Sequence, residues 1–180
     1  MGVDDRNRRK VIRSFSIDER TMERLNSVAK NRKISVNALL QDIIDYYIEI
    51  GAHSGDIGLI QIASPYFHFI LETCDVKRLI EMATRVSPGA WQEWVELRGL
   101  QSNIPSFLNM VKYHEGAGWA NITIAEEVSG GKKIIFTHSL GENWSKFLEA
   151  WFKGGYLQVT GKALPEDAFK IISTGLSMTL

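Results

Sequence analysis

The chain has 180 residues, 44% of them hydrophobic and 23% charged, a balance that suits one folded domain or two small ones and excludes disordered and fibrous classes. Formal charge sums to zero, yet between Arg6 and Lys33 ten Lys and Arg stand against three acids, so the remainder carries a matching negative excess. A basic block at one end of an otherwise acidic protein points to a polyanionic partner for that end alone.

No apolar run approaches the ~18 residues a spanning helix requires. The opening M-G-V-D-D-R-N-R-R-K lacks an apolar signal core, and Arg6 stands where a myristoylation site needs Ser or Thr. The one cysteine, Cys74, excludes an intrachain disulfide and a multi-cysteine zinc site. The expectation is a cytoplasmic protein with no membrane partner.

Residues 1–9 read as a flexible basic arm. Residues 10–17, K-V-I-R-S-F-S-I, alternate with a period of two. Val11, Phe15 and Ile17 share one face of the predicted strand, with Arg13 on the same parity. Lys10, Ile12, Ser14 and Ser16 take the other. Asp18 reads as the N-cap of a helix running to about Lys30, with Glu19 in its first turn and cations at its end. Ser35 opens a second helix carrying Val36, Leu39, Leu40, Ile43, Ile44 and Tyr47, closing near Gly51. The glycine-rich stretch 51–58 is the predicted linker.

One strand and two helices in about 43 residues are too few to bury a core. With no metal site or disulfide, the simplest solution is a symmetric dimer whose strands pair as an antiparallel ribbon. The segments R-S-F-S-I-D-E (13–19), Leu25 with Val28, and I-S-V-N-A-L-L (34–40) resemble the ribbon-helix-helix family of DNA-binding regulators, the group of the Arc and MetJ ribbon readers. The resemblance covers residues 10–50, and Asn31-Arg32-Lys33 stands where the family's usual glycine precedes the second helix. It implies base contacts in the major groove of double-stranded DNA from Ile12, Ser14 and Ser16, with reach added by Arg13 and Lys10. It also implies phosphate contacts from the backbone around Ser35, Val36 and Asn37, and from Arg6, Arg8 and Arg9.

Beyond the linker the expected order is a strand at 59–63, then helices at 65–73, 75–86, around Trp91–Leu97, and 104–116. Strands at 119–128 and 132–138 follow, joined by S-G-G, then a helix at 142–153 and a strand at 169–179. The fold class is α+β: an N-terminal ribbon-helix-helix dimerisation domain, then a C-terminal mixed α/β domain (59–180) with an antiparallel hairpin. All five tryptophans lie in that second domain.

The segment F-T-H-S-L-G-E-N-W (136–144) turns from a strand into a helix and offers a ligand or anion site from His138, Ser139 and Asn143. The plainer reading makes Gly141 the turn and Ser139 a cap. His53, His68, His114 and His138 form no i, i+3 or i, i+4 pair, so no metal site is assigned. The aromatic patch Pro65, Tyr66, Phe67 and Phe69 reads as core or dimer contact. Trp91, Trp94 and Leu97 cannot share one strict helical stripe. No P-loop, G-x-G-x-x-G, G-x-S-x-G or H-E-x-x-H occurs, and the expectation is no enzyme. The reading is a homodimer or higher homo-oligomer regulating transcription, with a small-molecule effector as a further partner for the second domain. The alternative is an antitoxin-like or scaffold protein-interaction module.

Overall fold

In a computed structural model describing residues 11–49, 51–53, 62–127, 130–172 and 174–180, the chain divides into two units, Met1–Leu59 and Ile60–Leu180. The first unit holds two helices. Asp18 caps α1 (Glu19–Arg32), its carboxylate accepting the Thr21 N–H at 2.9 Å. At the far end Lys33 adopts the left-handed conformation, φ 57°, while the N–H groups of Lys33 and Ile34 return to Lys30 and Ala29. Ser35 then caps α2 (Val36–Glu49), its Oγ accepting the Ala38 N–H at 3.1 Å. A short 3₁₀ turn, Gly51–His53, follows.

Lys33 closes α1 in a left-handed conformation, a place that favours glycine and costs an L-residue about 1–2 kcal/mol. Lys33→Gly removes that strain and adds some unfolded-chain entropy. The expected result is a net gain of roughly 1 kcal/mol in urea unfolding followed by helical circular dichroism.

The predicted strand at 10–17 does not form in the single chain. Residues 11–18 carry no regular secondary structure, and no strand lies in the first unit among the described residues. The physical reason is that a strand needs a neighbour for its backbone N–H and C=O groups, and among the described residues nothing pairs with this one. The β-ribbon is therefore not an N-terminal element of the lone chain.

In the second unit, α3 (Ser64–Thr73) has Pro65 in its first turn, where a missing N–H does no harm. The predicted strand at 59–63 fails where it is described, since residues 62 and 63 only lead into α3; residues 59–61 lie outside the described set. The two helices expected across 75–97 are one: α4 (Val76–Leu97), capped by Asp75, runs unbroken through Pro88 and Gly89. Ala83, Ser87, Trp91 and Val95 recur every fourth residue and are all buried, so one apolar stripe spans the proline. Trp94 is half-buried and Leu97 exposed, which resolves the mismatch among these residues.

Asn103 caps α5 (Ile104–Gly116), accepting the Ser106 N–H at 2.9 Å. The expected hairpin follows as β1 (Asn121–Glu126) and β2 (Lys132–Thr137), with Ile122 opposite Phe136 and Ile124 opposite Ile134. The helix expected to stop at 153 continues as α6 (Gly141–Thr160) and ends on Gly161 in the left-handed region. The single strand expected at 169–179 is two, β3 (Phe169–Ile172) and β4 (Gly175–Thr179), paired antiparallel. Gly175 makes the reversal at φ 152°, and any side chain there would run into the Phe136 carbonyl.

The sheet order is β1-β2-β4-β3, antiparallel throughout. Ile134, Phe136, Leu176 and Met178 from the two central strands are fully buried. They meet the apolar side of α6, where Phe152 stacks on Phe136 with centroids 4.6 Å apart. On another side α6 packs along α4 in the same direction, with Ser87 Oγ donating to the Trp151 carbonyl at 2.6 Å and Gln158 donating to Gln92 at 3.0 Å. The second unit is thus an α+β fold in which α6 is the central helix.

Candidate functional site

The positions expected to meet DNA bases, Ile12, Arg13, Ser14 and Ser16, are all exposed, Ile12 at 89%. Among the described residues Arg13 makes a long contact to the Ile12 carbonyl at 3.4 Å. Lys10, Arg6, Arg8 and Arg9 lie outside the described residues. The face meant to point inward is also open: Val11 and Phe15 are exposed, and Ile17 is half-buried.

The two helix starts in this unit differ electrostatically. At α1 the Asp18 carboxylate and Glu19 sit on the positive helix end, and hydrogen bonds from Thr21 hold the Asp18 pKa below its usual value. The first turn of α2 carries no acid. Ser35 spends its hydroxyl oxygen on Ala38, so the N–H groups of Val36 and Asn37 open the helix with no residue of their own turn behind them. Lys30, Arg32 and Lys33 precede this start. The sequence places Lys33 in this turn but does not count it among the expected phosphate contacts.

Between α1 and α2 lies a groove of about 360 Å³ lined by Leu25, Val28, Leu39 and Ile43, with Arg24 and Arg32 among its other walls. Only Ala29 and Leu39 are buried among the described residues of this unit. Val28, Ile43, Ile44, Tyr46, Tyr47 and Ile48 face solvent. Single exposed apolar residues are ordinary, but a unit with almost no interior and this much open apolar surface is not a finished core.

In the second unit two of the residues read as a ligand site, His138 and Asn143, are occupied with holding the fold. His138 follows β2, and its Nδ1 accepts the Leu140 N–H at 3.2 Å, so its proton is on Nε2. Nε2 meets Ser145 Oγ at 3.1 Å, and that hydroxyl donates to the Gly175 carbonyl at 3.1 Å. The chain of donation runs from imidazole through serine to backbone, opposite to what a nucleophilic serine needs, and Ser145 is buried. Burial lowers the His138 pKa, consistent with a neutral ring. Asn143 turns away and donates to the Leu71 carbonyl at 3.0 Å, tying α6 to α3. Ser139 is exposed and does not cap α6. His138 and Ser139 share a polar cleft of about 180 Å³ with Glu115, Asn121 and Thr137, whereas Asn143 does not line it.

A larger groove, of about 460 Å³, lies between α4 and α6, with Ala163 and Leu164 also in its lining. Its residues span Ile80 to Leu164 with no shared local motif, which is why no sequence pattern announced it. On α3, Tyr66 and Phe69 are exposed at 72% and 66%, with Ile62 and Ile70 beside them in sequence, while Phe67 meets Trp144 edge-on at 5.2 Å. No group of three His, Cys, Asp or Glu side chains that would hold a metal occurs among the described residues. Among those residues, too, no helix is long and apolar enough to cross a membrane. No family model, curated protein or solved structure matches the chain.

Proposed function

We propose that the chain is a homodimeric, sequence-specific DNA-binding regulator of the ribbon-helix-helix type, whose second unit senses a small molecule. The observation that carries the reading is the open apolar surface of the first unit, where Val11, Phe15, Val28, Ile43 and Ile44 face solvent and Val28 and Ile43 line a groove between two helices. A second copy completes that core: each large apolar side chain buried contributes about 1.5–3 kcal/mol. Pairing residues 11–17 of two copies gives the strand its missing partner. Val11, Phe15 and Ile17 then turn toward the helices, and Ile12, Ser14 and Ser16 face the major groove. The acid-free start of α2 and Lys33 receive a backbone phosphate.

The test is a gel shift on DNA recovered by in vitro selection, repeated across salt concentrations. An Arg13→Ala/Ser14→Ala/Ser16→Ala triple variant, exposed at every position, is expected to keep its thermal midpoint and lose at least about a hundredfold in operator affinity. Binding as tight as the parent's refutes the ribbon assignment. Lys33→Gly gives a different signature: uniform weakening across sequences and a salt slope shallower by about 1.

The second reading, a protein-interaction module, draws on the exposed Tyr66 and Phe69 of α3. Failure of the selection to enrich any DNA, together with co-purification of one stoichiometric protein partner that Tyr66→Ser/Phe69→Ser releases, favours it.

A further inference from the structure

We infer that the outward face of α3, carrying Tyr66, Phe69 and Ile70, is a second interface between two copies of this chain, formed by α3 packing antiparallel on α3 across a twofold axis. The inference rests on the proposed dimerisation of the first unit, which holds two second units near each other.

Its ground is a helix that is apolar on both sides. Phe67 and Leu71 face inward: Leu71 is buried, Phe67 meets Trp144 edge-on, and the Leu71 carbonyl accepts the Asn143 side chain. Tyr66, Phe69 and Ile70 stand at i, i+3 and i+4 on the other side, all exposed. At about 100° per residue, Phe69 points away from the midpoint between Phe67 and Leu71. A helix with one covered side carries polar residues on the other, whereas a helix apolar all round sits between two partners. The charged groups of α3 do not interrupt the stripe. His68 and Glu72, 3.1 Å apart, share a flank between the two faces.

What covers the face follows from its chemistry and its size. α3 contains no Lys or Arg, so a lipid surface or a nucleic acid finds no cation there. A single helix face gives a small molecule no enclosure. Against a different protein the stripe has no charge to set orientation. A second copy of the same stripe meets no like-charge repulsion and takes its orientation from the twofold axis. Such an axis brings the two Phe69 rings together and sets Tyr66 of each copy beside Ile70 of the other. Tyr66 and Phe69 are mostly open, and Ile62 and Ile70 are open at 49% and 44%. With about 150–250 Å² for each aromatic side chain, two stripes pair over on the order of 1,000 Å². That is the lower end for a specific contact, weak between free chains and sufficient between tethered ones. Residues 50–63 between α2 and α3 are the tether, and a linker this short gives an effective concentration of about millimolar.

The full-length protein tests the interface. Cys74→Ser removes the one thiol of the chain, and Phe69→Cys then places a single thiol on the stripe. A short bismaleimide is expected to join two chains at position 69 at least about tenfold faster than at Ser139→Cys, an exposed position of the same unit. Tyr66→Ser/Phe69→Ser alters no buried residue; it should keep its helical circular dichroism and weaken homodimerisation, followed by light scattering, by at least about tenfold. A dimer that binds operator DNA yet cross-links no faster at 69 than at 139, or associates unchanged in the double variant, overturns the interface and leaves the DNA reading standing. Chains that stay single at every concentration overturn both. Rapid cross-linking at 69 with no DNA enriched upholds the interface and removes the DNA reading. A different protein held one to one by the parent in place of the second copy, and released by Tyr66→Ser/Phe69→Ser, overturns the proposal in favour of that partner.

Discussion

Gly155→Ala is expected to destabilise the second unit by about 3 kcal/mol or more, although alanine is the better helix former. Gly155 lies inside α6 with its Cα against the Trp91 indole, and a built Cβ overlaps the ring at Cε2, Cδ2 and Nε1. The ring has nowhere to go. Trp91 is 1% exposed, stacked on Phe107 at 5.1 Å and on His114 at 5.3 Å, with Phe152 edge-on at 5.8 Å. Its indole N–H finds no acceptor among the described residues, so shape alone holds it there.

Neighbouring glycines give the control. Gly89→Ala in α4 has nothing within 4 Å of the new methyl and should stabilise by up to about 1 kcal/mol. Gly154→Ala meets Ser87 Oγ at 2.7 Å and Ser87 Cβ at 3.0 Å, and should fall between the other two. One chemical change in three helical positions thus takes its sign from the facing helix. Urea unfolding followed by tryptophan fluorescence checks the order, since every tryptophan lies in this unit. Equal effects at Gly155 and Gly89 would contradict the close packing of α4 on α6.

The same glycines explain what sequence periodicity missed. Lys153-Gly154-Gly155 reads as the end of a helix, because propensity disfavours paired glycines in an interior. Here the missing side chains admit Ser87 and Trp91, and tertiary packing overrides propensity. Pro88 misleads in the same way: it removes one backbone donor, yet the buried stripe Ala83-Ser87-Trp91-Val95 keeps α4 whole. Signals that depend on near neighbours came through, as at the Asp18 and Ser35 caps and the S-G-G hairpin. The α+β character of the second unit was legible for that reason.

The candidate sites divide along the same line. His138 and Ser139 were visible because a strand, a turn and a helix start are contiguous, but the contacts of His138 with Leu140 and Ser145 serve the fold, and Ser139 is exposed. The α4–α6 groove draws on residues from 80 to 164 and has no local signature. Residues 11–17 show a third case. Their alternation is plain in sequence, while among the described residues no strand of the same chain pairs with them.

His114 is expected to make stability fall steeply on acidification. Burial drives its pKa from 6.5 to about 4, against smaller opposing hydrogen bonds to the backbone of Met110 and Val111. Its Nε2 accepts the Trp151 indole N–H at 3.0 Å, so the neutral ring carries its proton on Nδ1, which donates to the Met110 carbonyl at 2.8 Å. Protonating Nε2 would set two donors against each other inside a cage that includes Trp91, Trp119 and Phe152. The unfolded chain binds this proton more tightly than the folded one. Stability from His114 is therefore complete above pH 6.5 and is lost as pH falls from 6.5 through 4. The loss reaches about 2 kcal/mol at pH 5 and about 3 kcal/mol at pH 4. His138, whose pKa is also lowered by burial, adds in the same direction. Urea unfolding at several pH values measures the slope. His114→Gln can still donate to Met110 and accept from Trp151 but does not titrate, so it should be weaker at pH 7 and much flatter toward acid. A variant as acid-sensitive as the parent would show that the ring is not buried neutral.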